Sequence, residues 1–404
     1  MDNTMNKPTE KVKHRSSGFL RRVLKHTFSG WGAKIGLMWV GILVIAAVFA
    51  PFLANSMPLL VSLNGEISAP VFRYLSVEDI VVLIAFFVLI LLFLSPLRHS
   101  IKSLLLFFLI IIVGSTIVSK QFVTVQQNVV YSDFREDLKT TNYDWVVMPP
   151  IPYAPEDYLR DSQATPLEAP LENSEYTHWM GTEENGGDVL SRMIHASRIA
   201  LGIGFIATGI AMVIGVILGG LMGYFSGIVD MLGMRLVEIF ESIPTLFLLL
   251  TFVAFFGRSI YIMMVIIGLT SWSGYARYIR AEFLRLRKMD FVQATIASGL
   301  PLRSILFRHM LPNGIAPLLV GLSFGVASAI LAEAMLSFLG LGLVGAPSWG
   351  QMLNQAVQSS TFNWWMAVYP GGAIFLTVFA YNLMGEALRD AIDPQLAKKA
   401  GVVG

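Results

Sequence analysis

Residues 290–312 read DFVQATIASGLPLRSILFRHMLP, a polar and basic stretch set between long apolar runs. Arg277, Arg280, Arg285, Arg287 and Lys288 lie immediately before it, and Arg303 and Arg308 lie inside it. Basic residues crowd onto the cytoplasmic loops of membrane proteins, so this stretch is expected to face the cytosol. It is more than a solvated charge run, because Phe291, Val292, Ile296, Leu300, Leu302, Ile305, Leu306 and Phe307 give it apolar side chains to dock with. Gly299 suits the end of one short helix and Pro301 the start of the next, since proline fits a first helical position and not an interior one. The spacing predicts two short amphipathic helices with a glycine break, a rigid knob for a partner to grip.

Composition sets the class around that knob. Of 404 residues, 55% are hydrophobic and only 14% charged, where a soluble protein carries roughly 25% charged residues. The mean hydropathy is +0.64, and several runs approach the ~20 apolar residues needed to cross a bilayer. The expected fold class is all-α, a polytopic helical membrane protein. There is no cysteine, which excludes structural disulfides and thiolate metal sites.

The basic run 1–30 reads as a cytosolic tail that holds orientation; binding of nucleic acid or anionic lipid is the less favoured reading. The apolar run 35–54 exceeds the ~7–15 residues of a signal-peptide core, so it reads as an uncleaved first transmembrane helix. A polar linker leads to two apolar runs, 80–94 and 104–118, joined by a basic turn at Arg98, His99 and Lys102: a membrane hairpin that leaves and returns. Residues 120–190 are rich in Asp and Glu, opposed only by Lys120, Arg135, Lys139 and Arg160, and belong outside by the same bias. Their prolines, Pro149 to Pro170, predict an irregular or extended course. This segment closes with HWMGTEENGGDVLSRMIHASR, residues 178–198, in which Asp188 is placed to cap a following helix.

Apolar runs at 199–224, 236–256, 260–275, 315–343 and 366–388 complete the membrane part, giving eight spans with both termini cytosolic. Gly215, Gly219, Gly220 and Gly223 predict close helix packing, and residues 226–235 read as a short inner turn. A carboxylate inside a membrane faces a cavity or a partner, so Glu241 and Glu333 are candidates for lining a translocation path. For Glu333 the alternative is pairing with a neighbouring helix, and for Glu241 an inexpensive place near the inner boundary. The sequences PSWG at 347–350 and NWW at 363–365 read as interfacial anchors.

Two motifs then resemble those of one family. Gln293-Ala294-Thr295, Gly299 and Leu311-Pro312 are similar to the "EAA" loop of ABC importer permeases, with Gln293 for the usual Glu and Thr295 for the second Ala. Gly181, Thr182, Gly186, Asp188 and Arg192 resemble the G-T-D-x-x-G-R-D-V-x-S-R signature of the oligopeptide and dipeptide (OppC/DppC-type) branch. Gly187 stands where that branch commonly has Arg, as in its microcin-importing relatives. The resemblance implies a type I importer permease core of about six spans, residues 199–396 with a coupling loop at 283–313. Before it lie the tail (1–30), the first helix (31–55), an outer linker with the inserted hairpin (56–120) and the acidic segment (121–198). It further implies that Phe291, Val292, Gln293, Ala294, Thr295, Ser298, Gly299, Arg303, Leu311 and Pro312 couple to ATPase subunits that hold ATP and Mg. The chain itself would bind no cofactor and no nucleic acid. A second permease subunit, identical or not, and an extracytoplasmic solute-binding protein complete the implied machine, in a bacterial cytoplasmic (inner) membrane, and its cargo would be peptides or peptide-like solutes.

The residues also exclude alternatives. No G-x-x-x-x-G-K-[ST] phosphate loop and no H-E-x-x-H occur. Gly321-Leu-Ser-Phe-Gly325 matches G-x-S-x-G, but within an apolar run and without a strand-to-helix elbow. The rival reading is an ATP-independent secondary transporter or channel, which needs midplane ionisable residues or broken helices in paired halves.

Overall fold

The computed structural model describes residues 27–94 (without 29), 131–158 (without 142), 166–172, 177–343 and 346–392. The basic tail, the second run of the hairpin and the last basic residues, Lys398 and Lys399, lie outside them.

Helix α1 (Trp31–Val48) opens the described chain, and Pro51 starts the short turn Ala50–Leu53 that ends it. Two strands follow, β1 (Leu60–Leu63) and β2 (Glu66–Ser68), then helix α2 (Val77–Leu94), helix α3 (Tyr131–Thr140) and strand β3 (Trp145–Val147). The strands form one antiparallel sheet in the order β2-β1-β3, with Val61 opposite Ser68 and Val146. This small sheet is an addition to a chain that is otherwise mostly helical, as expected. Asn64 and Gly65 both take positive φ, 53° and 82°, the two-residue hairpin turn that Asn-Gly favours. Asp144 holds β3 beside it, accepting from the Ser62 hydroxyl and the Gly65 N–H, each at 3.0 Å. The proline-rich stretch is likewise less irregular than expected, since Ile151 exchanges backbone hydrogen bonds with Leu53 and Asn55.

The axis of the molecule is α4 (Val189–Phe225), 37 residues long. After it come α5 (Gly227–Ser242), α6 (Thr245–Phe256), α7 (Ile260–Thr270), α8 (Trp272–Leu286) and α9 (Asp290–Ala297). The chain closes with α10 (Ala316–Leu336), α11 (Trp349–Gln358) and α12 (Trp364–Ile392). Helix α8 runs along the C-terminal half of α4, and there the expected glycine packing is found. A side chain on Gly219 would meet the backbone of Ala276, and one on Gly223 would lie 2.6 Å from Phe283 Cβ. Small residues allow that approach, and Trp272, Tyr275, Ala276, Ile279 and Phe283 are buried by it. Against the N-terminal half of α4 pack α1, α10 and α12, burying Ala200, Leu201, Ile330, Trp365 and Tyr381. Helix α2 joins this body through Asp79, which pairs with Arg198, and Glu78, which accepts from the Tyr261 hydroxyl at 2.6 Å.

Four described helices are long and apolar enough to cross a membrane: Trp31–Val48, Val189–Phe225, Pro317–Leu341 and Trp364–Ile392. Helices α5 and α6 make a fifth if taken together, but they are bent by 83°. The single span expected at 236–256 is therefore broken, because Pro244 has no N–H to continue α5. The inner turn expected at 226–235 is instead the start of α5. The span expected at 260–275 is also shorter, α7 ending at Thr270 before α8 begins. Eight spans are not reached among the described residues.

The expected interfacial tryptophans divide. Trp349 and Trp365 are buried, their indole N–H groups donating to the carbonyls of Met193 and Thr182 at 3.2 Å each. Trp364 is exposed. A buried tryptophan needs an acceptor for its N–H, and these two have one.

Candidate functional site

Helix α9 begins with Asp290, a negative charge at the positive end of the helix dipole. It ends as the sequence predicts. Gly299 takes φ +69°, its N–H bonds the Ile296 carbonyl at 3.0 Å, and the Leu300 N–H reaches back to Thr295 at 3.3 Å. That pair of bonds is the glycine-terminated Schellman closure, which only a residue at ease with positive φ completes without strain. Pro301 then accepts from the Ser304 and Ile305 N–H groups, opening the second helical piece. This piece is π-helical over Ser304–Met310 and passes into Leu311–Gly314. Pro312 has no N–H for the Arg308 carbonyl, which favours such a widened turn. The Asn313 side chain supplies a donor to the His309 carbonyl at 2.6 Å.

The two pieces present two faces. Val292, Ile305, Leu306 and Met310 are buried against Ile279, Phe283 and Leu286 of α8. Phe291, Ile296, Leu300 and Phe307 are exposed together with Arg303. Ser298 and Thr295 bond back into their own helix, to Ala294 and Val292. Gln293 donates its amide N–H to the Arg287 carbonyl at 2.7 Å. Of the expected coupling residues, Val292 therefore belongs to the docked face, while Phe291 and Arg303 stand on the free one.

Three of the arginines before the loop are more than a solvated run, whereas Arg285 pairs with Glu282 of its own helix. Those three tie α8 to the segment after α4: Arg277 pairs with Glu241, Arg280 with Asp230, and Arg287 donates to Ser226 Oγ at 2.6 Å. Sequence reasoning missed these ties, although positions 277, 280 and 287 fall on one side of a helix. Glu241 thus sits on α5 as one half of an ion pair. Glu333 is 3% exposed and receives the Ser337 hydroxyl at 2.6 Å. Both carboxylates thus have partners within the chain.

The segment before α4 folds tightly on the start of that helix. Asp188 caps α4, accepting from the Ser191 N–H at 2.7 Å, and its other oxygen lies 2.9 Å from His178 Nδ1. Tyr153 packs on the His178 ring at 4.4 Å, and Ser191 Oγ donates to the Tyr153 carbonyl. Thr182 bridges to Asp188, and its hydroxyl accepts from the Glu168 N–H at 2.8 Å. Gly181 and Gly186 make the turns between them, at φ +77° and +87°. Arg192, 1% exposed, donates to the Pro155 carbonyl at 3.0 Å. Its Nε lies 3.3 Å from Glu183 Oε2 but out of line for a hydrogen bond, and both Glu183 oxygens are buried without one. Burial pushes the Glu183 carboxyl above its ordinary range, opposed by Arg192 and by the Asn185 and Gln355 side chains. His178 and Glu183 were not singled out from sequence, although both lie within residues 178–198. Among the described residues no group of His, Cys, Asp and Glu is arranged to hold a metal ion.

Comparison with known proteins is consistent with this geometry. Residues 215–398 match the family described as "Binding-protein-dependent transport system inner membrane component". The oligopeptide transport system permease protein OppC of Haemophilus influenzae is 38% identical over 219 residues, 54% of this chain and 70% of that protein. The di/tripeptide transport system permease protein DppC of Pseudomonas aeruginosa is 38% identical over 250 residues, 62% of this chain and 82% of that one. YejE, an inner membrane ABC transporter permease protein of Escherichia coli, is 36% identical over 258 residues, 63% and 74% of the two chains. The MetNI methionine ABC transporter in an inward-facing conformation aligns with a TM-score of 0.41 at 18% identity, over 50% of this chain and 97% of that one, too loose a likeness to carry an argument.

Proposed function

This chain belongs to the oligopeptide/dipeptide branch of the binding-protein-dependent ABC transport permeases, and we propose that it carries peptides or peptide-like solutes across a bacterial inner membrane by alternating access. ATP and Mg act on partner ATPase subunits. A second permease subunit shares the translocation interface, and a solute-binding protein delivers cargo outside. Both termini and the coupling loop, 283–313, face the cytosol. Residues 199–396 are the permease core, and 31–55 supply the first spanning helix. The hairpin within 56–120 is an inserted pair of spans and the acidic segment within 121–198 an addition on the outer side, the latter ending in Gly181, Thr182, Gly186, Asp188 and Arg192 at the head of α4.

The observation that carries this reading is the two-faced loop. A segment anchored by Val292, Ile305 and Met310 and exposing Phe291, Ile296 and Phe307 has a grip for a partner and a rigid link to the bundle. ATP-driven closure of the ATPase pair pushes the loop, and α8 passes the displacement to α4 along their glycine contact. Coupling is mechanical, and no covalent chemistry takes place in this chain.

The test is purification from native membrane of the intact chain and of Gly299→Asp, scored for a co-purifying ATPase and for ATP-dependent peptide uptake after reconstitution. The expected result is an ATPase with the intact chain and its loss or uncoupling in the variant. Uptake driven by an ion gradient with no ATPase present would favour a secondary transporter.

A further inference from the structure

Arg287 ends α8 and is held from two directions. Its carbonyl, one of those left without a partner at a helix C-terminus, accepts the Gln293 amide N–H at 2.7 Å. Its guanidinium reaches the end of α4, donating to Ser226 Oγ at 2.6 Å and, more loosely, to the Phe225 carbonyl at 3.4 Å, with Tyr224 beneath it at 6.0 Å. A cation there is favoured by the negative end of the α4 dipole. Ser226 stands at φ 53°, so the turn between α4 and α5 sets the direction of the hydroxyl that Arg287 grips. Gln293, Arg287 and Ser226 thus form one polar chain from the first coupling helix to the foot of the longest helix. A second, apolar anchor is Val292, the neighbouring residue of α9, which is fully buried.

The residue type at 293 matters because the acceptor is a carbonyl. An amide has a hydrogen to give it and an ionised carboxylate has none. A glutamate at this position would place its charge against a carbonyl oxygen and open the link. The surroundings are basic as well, with Arg287, Lys288, Arg303 and Arg308 close in sequence and Asp290 the acidic residue of the loop.

We propose that Gln293 and Arg287 are a clasp joining the first coupling helix to the C-terminal end of α4, so that residue 293 positions the loop from within the chain instead of contacting the ATPase. The inference rests on the transporter reading for its effect on coupling, but the clasp itself is testable without an ATPase. Both residues are exposed or half-buried, so breaking the clasp loosens the loop and leaves the apolar core intact.

Two measurements decide it. In the first, the complete transporter is reconstituted with Gln293→Glu, Gln293→Lys or Arg287→Ala, and solute moved per ATP hydrolysed is compared with the parent. The ATPase is expected to co-purify undiminished with all three. The ratio should fall several-fold in Gln293→Glu and Arg287→Ala and return in Gln293→Lys, whose ammonium group can again donate. Loss of the ATPase in Gln293→Glu, or its unchanged coupling, would overturn the clasp. In the second, the absence of cysteine lets a spin-label pair be placed cleanly at Ser298→Cys and Val229→Cys. The distance distribution between them should be narrow in the parent and in Gln293→Lys and broad in Gln293→Glu. An equally narrow distribution in Gln293→Glu also sinks the proposal. If the parent never associates with an ATPase, the transporter reading fails, while the spin labels still report on the clasp.

Discussion

Asp188 carries two loads at once, the cap of α4 and the ring nitrogen of His178. Asp188→Ala removes both and is expected to cost about 2–4 kcal/mol, a lost cap together with a stranded buried partner. Asp188→Asn keeps an acceptor for the cap and should cost less. Thermal melting of the detergent-solubilised chain measures both. Glu183, nearby, has its carboxyl raised by burial, so the native state takes up the proton before the unfolded chain does. Its contribution to stability is fully present below the ordinary value of 4.5 and is lost as pH rises through the raised native value. Melting temperatures taken across that range should fall with rising pH, and Glu183→Gln should flatten the slope. The Asp188 cap was legible in the sequence, because a cap is a relation between neighbours. The burial of Glu183 was not, since it is a property of the folded segment and of distant neighbours such as Gln355.

Helices α5 and α8 show what decides an element's place. Pro244 breaks the run 236–256 locally, and the 83° bend there is accompanied by ties between Asp230 and Arg280 and between Glu241 and Arg277. Those pairs span 50 and 36 positions, beyond what a local pattern reports. Arg280→Asp is expected to destabilise the α5–α8 contact by about 1–3 kcal/mol through like-charge repulsion and a lost charge-assisted hydrogen bond. The double swap Asp230→Arg with Arg280→Asp should restore most of it, as a double-mutant cycle in melting would show. The coupling loop is the contrasting case. Its helix, glycine and proline were readable because the Schellman closure at Gly299 and the start at Pro301 are local chemistry. Gly299→Ala meets no neighbouring atom and suffers only the positive φ, so a cost of about 1 kcal/mol is expected. Gly299→Asn should be milder.

Across the whole molecule, apolar runs gave the membrane class and the helices, while pairing over distance was hidden. Strand β3 meets β1 from more than 80 positions away, and the same residue type serves as a buried donor at Trp365 and an exposed ring at Trp364. Large side chains such as Phe255, Phe375 and Val368 remain exposed on their helices, surface that on the proposed function meets lipid or a second subunit. On the proposed function Mg and ATP act on partner subunits, so chelating Mg should stop uptake by the reconstituted complex and leave the melting of the isolated chain unmoved. A shift in that melting would place a metal on this chain. The length of α4 has one further consequence. At 1.5 Å per residue its 37 residues make a rod of ~55 Å, against a hydrocarbon layer of ~30 Å. Swung by ~10° about its foot beside Arg287, such a rod sweeps its head at Asp188 through roughly 10 Å. A small stroke at one surface is thereby geared up at the other, and the rigid knot of His178, Thr182 and Arg192 travels with the tip.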